Sequence, residues 1–199
     1  SRRDRSLVTV ASLISRNDTT ELPQYIGLAL DNGVTPTELS ETITHLAFYA
    51  GWPNASSAAV VTSRVFRTRH IDTTGIPAAY VGSLPLDAEA EKKRSDMVYD
   101  NFGQVAPGVV RFTTDALFRN LWLRPGLTPR DRSLITVSAL VTEGQVAQVP
   151  FHLNRAMDNG LSGAQHPRCL TRLPFWPGWP KFFPPMPVFK EEFATPTKV

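Results

Sequence analysis

The sequence predicts an all-α protein, a compact bundle of helices of about 10–15 residues with short connections. Three observations predict it. The chain repeats itself at an offset of 127 residues. Arg3-Asp4-Arg5-Ser6-Leu7 returns as Arg130-Asp131-Arg132-Ser133-Leu134, Asp31-Asn32-Gly33 as Asp158-Asn159-Gly160, Gly51-Trp52-Pro53 as Gly178-Trp179-Pro180, and Phe66 as Phe193. Helix-start signals punctuate the chain, and no stretch alternates apolar and polar residues as a half-buried strand does. A repeat that never slips register fixes the architecture before any single residue is weighed. Residue types kept in both copies serve the fold, and types present in one copy are the candidates for chemistry.

Residues 3–16 carry Leu7, Val8, Val10, Ala11, Leu13 and Ile14 at helical spacing. Their counterpart begins Thr128-Pro129 with Asp131 following: an N-cap, a proline at the first helical position and an acid in the first turn. Ser1 stands where Thr128 stands, so the first copy is expected to lack an equivalent of residues 100–127. Pro23 to Asn32 is a second helix, closed by Gly33 in the left-handed conformation. Thr35-Pro36-Thr37-Glu38 is a capping box opening a third helix that runs to Ala50. Gly51-Trp52-Pro53 breaks it, and residues 54–66 form a fourth. Residues 67–85, with Gly75, Pro77, Gly82 and Pro85, read as a linker. Leu86 to Asn101 is a charged helix, and Pro107 to Leu121 is helical. The expected division is a first repeat over 1–66, a linker over 67–85 and a second repeat over 86–199.

The second copy departs after Gly160. Ala47, Ala50, Ser57 and Ala58 are opposed by Pro174, Pro177, Pro184 and Pro185, and Pro167 and Pro187 add to them. An interior proline costs a helix about 3 kcal/mol, so the counterparts of the third and fourth helices, over 164–177 and 181–193, are not expected to form intact. Two explanations stand: an extended, proline-rich packing arm, or errors in the recorded sequence, since Ala-to-Pro and Ser-to-Pro are single-base changes. Intact mass separates them.

The chain has 199 residues, a net charge of +3 and scattered basic residues, the profile of a solvated surface rather than of a nucleic-acid binder. Its pI is near 9.2. A single cysteine, Cys169, excludes an intramolecular disulfide and any Cys-x-x-Cys pair. No apolar run is long enough to span a membrane, and the N-terminus has no signal-peptide core. A cytoplasmic protein is the expectation. No His, Asp, Glu or Cys grouping has metal-ligand spacing, and there is no phosphate loop or nucleophile elbow, so neither metal nor cofactor is expected.

Residues unique to one copy supply the candidates. His152, with Tyr25 as its counterpart, is a proton donor or acceptor near neutral pH, or else a satisfied core histidine. His45, with Arg172 as its counterpart, shares an i, i+4 stripe with Glu41 and Tyr49, and Phe48 and Trp52 lie alongside. That mixture of acid, imidazole and aromatics lines a pocket, or else packs a subunit interface or the core. Glu143, nine residues before His152, could orient it if a turn brings the two together. Arg130 and Arg132 repeat Arg3 and Arg5, which suits pairing with Asp4 and Asp131; a clamp on a substrate carboxylate is the alternative.

Several strings together resemble the carboxymuconolactone decarboxylase family: His45-Leu46-Ala47-Phe48-Tyr49-Ala50-Gly51-Trp52-Pro53-Asn54, Leu121-Trp122-Leu123-Arg124-Pro125-Gly126-Leu127, Arg130-Asp131-Arg132-Ser133-Leu134-Ile135-Thr136-Val137, and Pro150 through Gly160. The resemblance is to tandem-repeat members. It implies an AhpD-like helical bundle and a homo-oligomer, commonly a trimer or hexamer. It also raises His152 to the first catalytic candidate. The thiol branch of that fold carries two cysteines before the histidine; here Gln145 and Gln148 occupy those places, so peroxiredoxin-type disulfide exchange is not expected. Ser6 and Ser133 stand where that branch has a relay glutamate.

The activity implied is cofactor-independent decarboxylation of a small carboxylated lactone or related intermediate of aromatic degradation. The departing carboxylate leaves its electron pair on the conjugated lactone as a dienolate. Arg130 or Arg132 would hold the retained carboxylate. Phe48, Tyr49 and Trp52 would make the departing group's pocket apolar, and His152 or His45 would return the proton. The competing expectation is a degenerate member, an isomerase or an oligomeric scaffold. The first copy keeps the His45 helix and the second keeps His152, so a complete site would be composite.

Overall fold

Helix α1 (Arg2–Ser15) is opened by Ser1 and Asp4 in a reciprocal capping box. Helix α2 (Leu22–Asp31) follows, then α3 (Pro36–Tyr49), whose start is the Thr35–Glu38 capping box. Helix α4 (Trp52–Thr68) begins immediately after Gly51, which turns the chain at φ 91°. Helices α5 (Ala88–Phe102) and α6 (Pro107–Phe112) come next, α6 running on into a π-helical turn, Thr113–Phe118. Thr128 caps α7 (Pro129–Glu143), and a 3-10 turn leads into α8 (Val149–Asp158). Two short helices follow, α9 (Trp179–Phe182) and α10 (Met186–Ala194). This computed structural model describes residues 1–161 and 175–194, and no strand occurs among them.

The chain divides into two compact units, Ser1–Ile76 with Leu127–Val199, and Pro77–Gly126. In the first, α1 and α7 make the most extensive helix contact. Both are buried on all sides, from Ser6 to Ser15 and from Asp131 to Thr142. A helix apolar and enclosed all round needs neighbours in every direction. One copy cannot surround its own first helix, so the copies share a single core that runs from Leu7, Leu13, Ile26 and Leu46 to Ile135, Leu153, Phe182 and Phe189. The repeat boundaries at 66 and 85 are therefore not the boundaries of these units.

Buried hydroxyls sit between the two central helices. Ser138 donates to the Leu134 carbonyl (2.7 Å) and Thr142 to that of Ser138 (2.7 Å), and Thr142 Oγ1 lies 3.0 Å from Ser12 Oγ. Bonding back to its own helix satisfies a small polar side chain without a partner elsewhere.

The repeat persists in the details. Asn32 donates to Ser6 (3.0 Å) as Asn159 does to Ser133 (2.9 Å). Gly33 and Gly160 take φ of 89° and 90°. Arg130 binds both oxygens of Asp4 (2.9 and 3.0 Å), and Arg3 reaches Asp131 (2.7 Å), so each copy's arginine holds the other copy's aspartate.

The prolines act where helix α4 would be repeated. Gly178 turns the chain at φ 82° as Gly51 does, and α9 starts on Trp179-Pro180. It stops after one turn, before Pro184-Pro185, and α10 restarts with Pro187 at its second position, where a missing N–H costs nothing. The counterpart of α4 is thus split into two helices rather than drawn out as an arm. Pro167, Pro174, Cys169, Arg172 and most of the α3 counterpart lie outside the described residues.

In the second unit, Arg94 pairs with Glu91 through Nε (2.8 Å) and Nη2 (2.9 Å) and lies 4.4 Å over the Phe118 ring, which stacks on Trp122. Among the described residues, no helix is long and apolar enough to cross a membrane.

Candidate functional site

The interior of the first unit holds a run of polar side chains contributed by both copies. Glu41, His45 and Tyr49 succeed one another along one face of α3 at i, i+4 spacing. Arg132 and Thr136 do the same on α7, and His152 comes from the first turn of α8. Arg132, with no exposed surface, donates through Nη2 to Glu41 Oε2 (2.7 Å). Its Nη1 lies 3.4 Å from His45 Nδ1, and His45 Nε2 is 2.7 Å from Thr136 Oγ1. Thr136 gives its own proton to the Arg132 carbonyl (2.8 Å), so its oxygen must accept from His45 Nε2–H. Arg132 can only donate, which leaves Nδ1 as the acceptor. His45 is therefore the neutral tautomer with its proton on Nε2.

Electrostatics agree with that assignment. Burial first, then the charge of Arg132, holds the His45 imidazole well below its ordinary range. His45 stacks on Tyr49 (4.9 Å between centroids), and Tyr49 meets His152 edge to face (5.3 Å). Phe151 also meets His152 edge-on (5.0 Å). His152 is 6% exposed; burial, with Arg155 adding to it, pushes its imidazole down to about 3. At neutral pH both rings are uncharged. The arrangement is a buried ion pair beneath a His–Tyr–His ladder in which Tyr49 is half-buried, His45 is enclosed and His152 keeps a small exposed edge.

The sequence profile of the carboxymuconolactone decarboxylase family matches residues 1–63 and 107–184. The chain belongs to this family. It is 39% identical over 66 residues, 33% of this chain and 49% of the relative, to the 4-carboxymuconolactone decarboxylase of Acinetobacter baylyi. It is 36% identical over 63 residues, 32% of this chain and 44% of the relative, to the nitrosuccinic acid decarboxylase npaB of Metarhizium robertsii. The chain thus spans about half the length of each of these relatives.

Within this member of the carboxymuconolactone decarboxylase family, the sequence candidates fall into different neighbourhoods. His45, Tyr49, Arg132 and His152 come together. Arg130 does not join them: it is held by Asp4 and by Asp131 (2.7 Å), and its place is the exchange between α1 and α7 rather than a substrate clamp. Arg132 is no open clamp either, since Glu41 meets it in the interior. Phe48 and Trp52 are 42% and 65% exposed and pack on each other (5.7 Å) instead of walling the histidines. On a helix, positions 45 and 49 share a face while 48 is rotated off it, and Trp52 belongs to the next helix. Glu143 makes no hydrogen bond with His152 among the described residues. It ends α7, Gly144 turns the chain left-handed (φ 77°), and burial raises the Glu143 carboxyl while Lys181 counters it.

Three contributors were not legible as such. Thr136 orients His45, Glu41 compensates Arg132, and the charge of Arg155 reaches both histidines. The i, i+4 spacing of Arg132 and Thr136 was the available signal, once α7 is known to be buried all round. Among the described residues, no group of His, Cys, Asp or Glu could hold a metal ion.

Proposed function

We propose that the chain is a cofactor-independent decarboxylase-type lyase acting on a small carboxylic acid that carries an electron-withdrawing group, with His152 as the proton-transfer residue. The observation carrying this reading is the His45–Tyr49–His152 ladder resting on the Arg132–Glu41 pair. The relatives' names support the substrate class: one is named for a carboxylated lactone and the other for a nitro-substituted diacid, and each supplies a sink for the electron pair. The carbon–carboxylate bond breaks heterolytically, carbon dioxide departs, and the pair is delocalised onto the lactone or a comparable acceptor. A proton then returns to carbon. His152 starts neutral, and a bound carboxylate beside it favours the imidazolium, which takes its proton from water and delivers it. Arg155, one turn along α8, adds the cation that would hold a substrate carboxylate. Tyr49 fixes the ring of His152 by edge contact, and the sealed pair fixes Tyr49 through His45.

The test is turnover of 4-carboxymuconolactone and of nitrosuccinate, followed as carbon dioxide release. His152→Gln is expected to lower kcat by about 10²–10⁴. In the wild type, kcat should fall as pH rises through the pKa of the substrate-bound imidazole. A His152→Gln variant with full activity would sink the assignment. One observation favours a second reading, a catalytically silent scaffold: Glu41 and His45 both bond to Arg132 in the interior. No turnover of either acid, with one stable assembly in light scattering, supports the scaffold. The exposed Phe48–Trp52 pair supports assembly into a homo-oligomer, a trimer or hexamer in this reading.

A further inference from the structure

The site just described has a twin. A cavity of about 260 Å³ in the same unit is lined by Arg2, Arg5, Ser6, Thr9, Tyr25 and Asn32, with Leu28 closing one wall. Adding 127 to Arg5, Ser6, Thr9, Tyr25, Leu28 and Asn32 gives Arg132, Ser133, Thr136, His152, Arg155 and Asn159. The two places are therefore the same position in the two copies.

What differs is the supply of acceptors. Glu41 neutralises Arg132 in the interior. Arg5 is half-buried and meets no acid among the described residues, and residues 162–174 and 195–199 contain no Asp or Glu. At offset 127, Glu41 and His45 are replaced by Arg168 and Arg172. The hydroxyls differ too. Ser133 and Thr136 donate to the carbonyls of their own helix, at 3.0 and 2.8 Å. Ser6 and Thr9 are buried yet, among the described residues, make no such bond, and there Ser6 only accepts from Asn32. Tyr25, its ring braced edge-on by Trp176, presents a phenol where the other copy has an imidazole.

We propose that this cavity is a second ligand site, which binds a small molecule bearing one or two carboxylates and leaves it chemically unchanged. Arg5 and Arg2, at i, i+3 spacing, can each meet a carboxylate, and the Ser6, Thr9 and Tyr25 hydroxyls donate to the remaining oxygens. Leu28 and the Tyr25 ring form an apolar wall that a compact inorganic anion would not use. This place lacks the imidazole of the other copy, so binding here has no histidine proton transfer attached. The inference does not depend on the lyase reading.

The experiment labels the full chain with 3-fluorotyrosine and titrates it with succinate by fluorine NMR, the Tyr25 resonance being assigned through Tyr25→Phe. Succinate is expected to move the Tyr25 signal saturably. Arg5→Gln should weaken the response at least tenfold and Thr9→Val more modestly, while His152→Gln leaves it intact. A Tyr25 signal that succinate does not move, or an Arg5→Gln titration matching the wild type, overturns the proposal. Inorganic phosphate binding as tightly as succinate overturns the carboxylate assignment. Succinate binding without turnover of any acid sinks the lyase reading and leaves this one standing.

Discussion

One position, two fates: Arg132 is paired in the interior with Glu41 and packed beside the His45–Thr136 bond, and Arg5 meets no acid among the described residues. Both places keep the arginine, the serine, the threonine and the asparagine. In sequence they differ at a few positions, Glu41 and His45 against Arg168 and Arg172, and His152 against Tyr25. An arginine in the interior must bring its counter-ion, because an uncompensated buried charge costs several kcal/mol. At the half-exposed Arg5, water or a ligand can play that part. Duplication thus preserved a scaffold while allowing its two equivalent places to diverge, one toward a closed network and one toward an open, cationic cavity.

The sharpest way to break this comparison is Glu41→Ala. It leaves Arg132 charged and enclosed, and a loss of about 3–5 kcal/mol in urea unfolding is expected. The matching change in the other copy, Arg5→Gln, should stay within about 0.5 kcal/mol. Equal losses would mean the two sites are not differently sealed.

Acid titration gives the next largest effect. The folded imidazole of His152 sits at about 3 and that of His45 is also lowered, whereas in the unfolded chain a histidine titrates near 6.5. Above about pH 6.5 both states are neutral and stability is flat. Below it, the unfolded state takes up protons that the folded state refuses. Stability therefore falls as pH drops toward 3, by about 1.4 kcal/mol per pH unit for His152, with His45 acting in the same direction. Urea midpoints between pH 4.5 and 7.5 read this slope, and His152→Gln should remove its own share.

The exchange between Arg3, Asp131, Arg130 and Asp4 should matter least, since both arginines are partly exposed. Asp4 is held down at about 2, burial opposing and the Arg130 hydrogen bonds prevailing. Arg130→Met is expected to cost about 1–2 kcal/mol and Arg3→Met about 1 kcal/mol or less. The double variant should lose less than the sum, because both arginines bind Asp131. Strict additivity would show that the two pairs act independently.

Much of the fold was readable in advance, because it is written in local chemistry. Capping residues, helix-starting prolines and left-handed glycines act within one turn, so Thr35–Glu38, Thr128 and Gly33 announced their roles without tertiary help. The stripe of Glu41, His45 and Tyr49 was equally legible, since it depends only on helical period. Its burial was not, and neither was the separation of Glu143 from His152, whereas the pairing of Arg130 with Asp4 and Asp131 was the reading its repetition suggested. Those depend on which helix lies opposite, and no local rule specifies that.

By itself, then, the sequence determined the helices, their caps, the duplication and the residues in which the copies differ. Only the tertiary structure decided that α1 and α7 lie together at the centre of one core, so that Arg132 meets Glu41, His45 meets Thr136, and Tyr49 meets His152. The reason is physical. A helix signals its own existence through bonds four residues apart, whereas a buried charge finds its partner some 90 residues away through the packing of the whole unit.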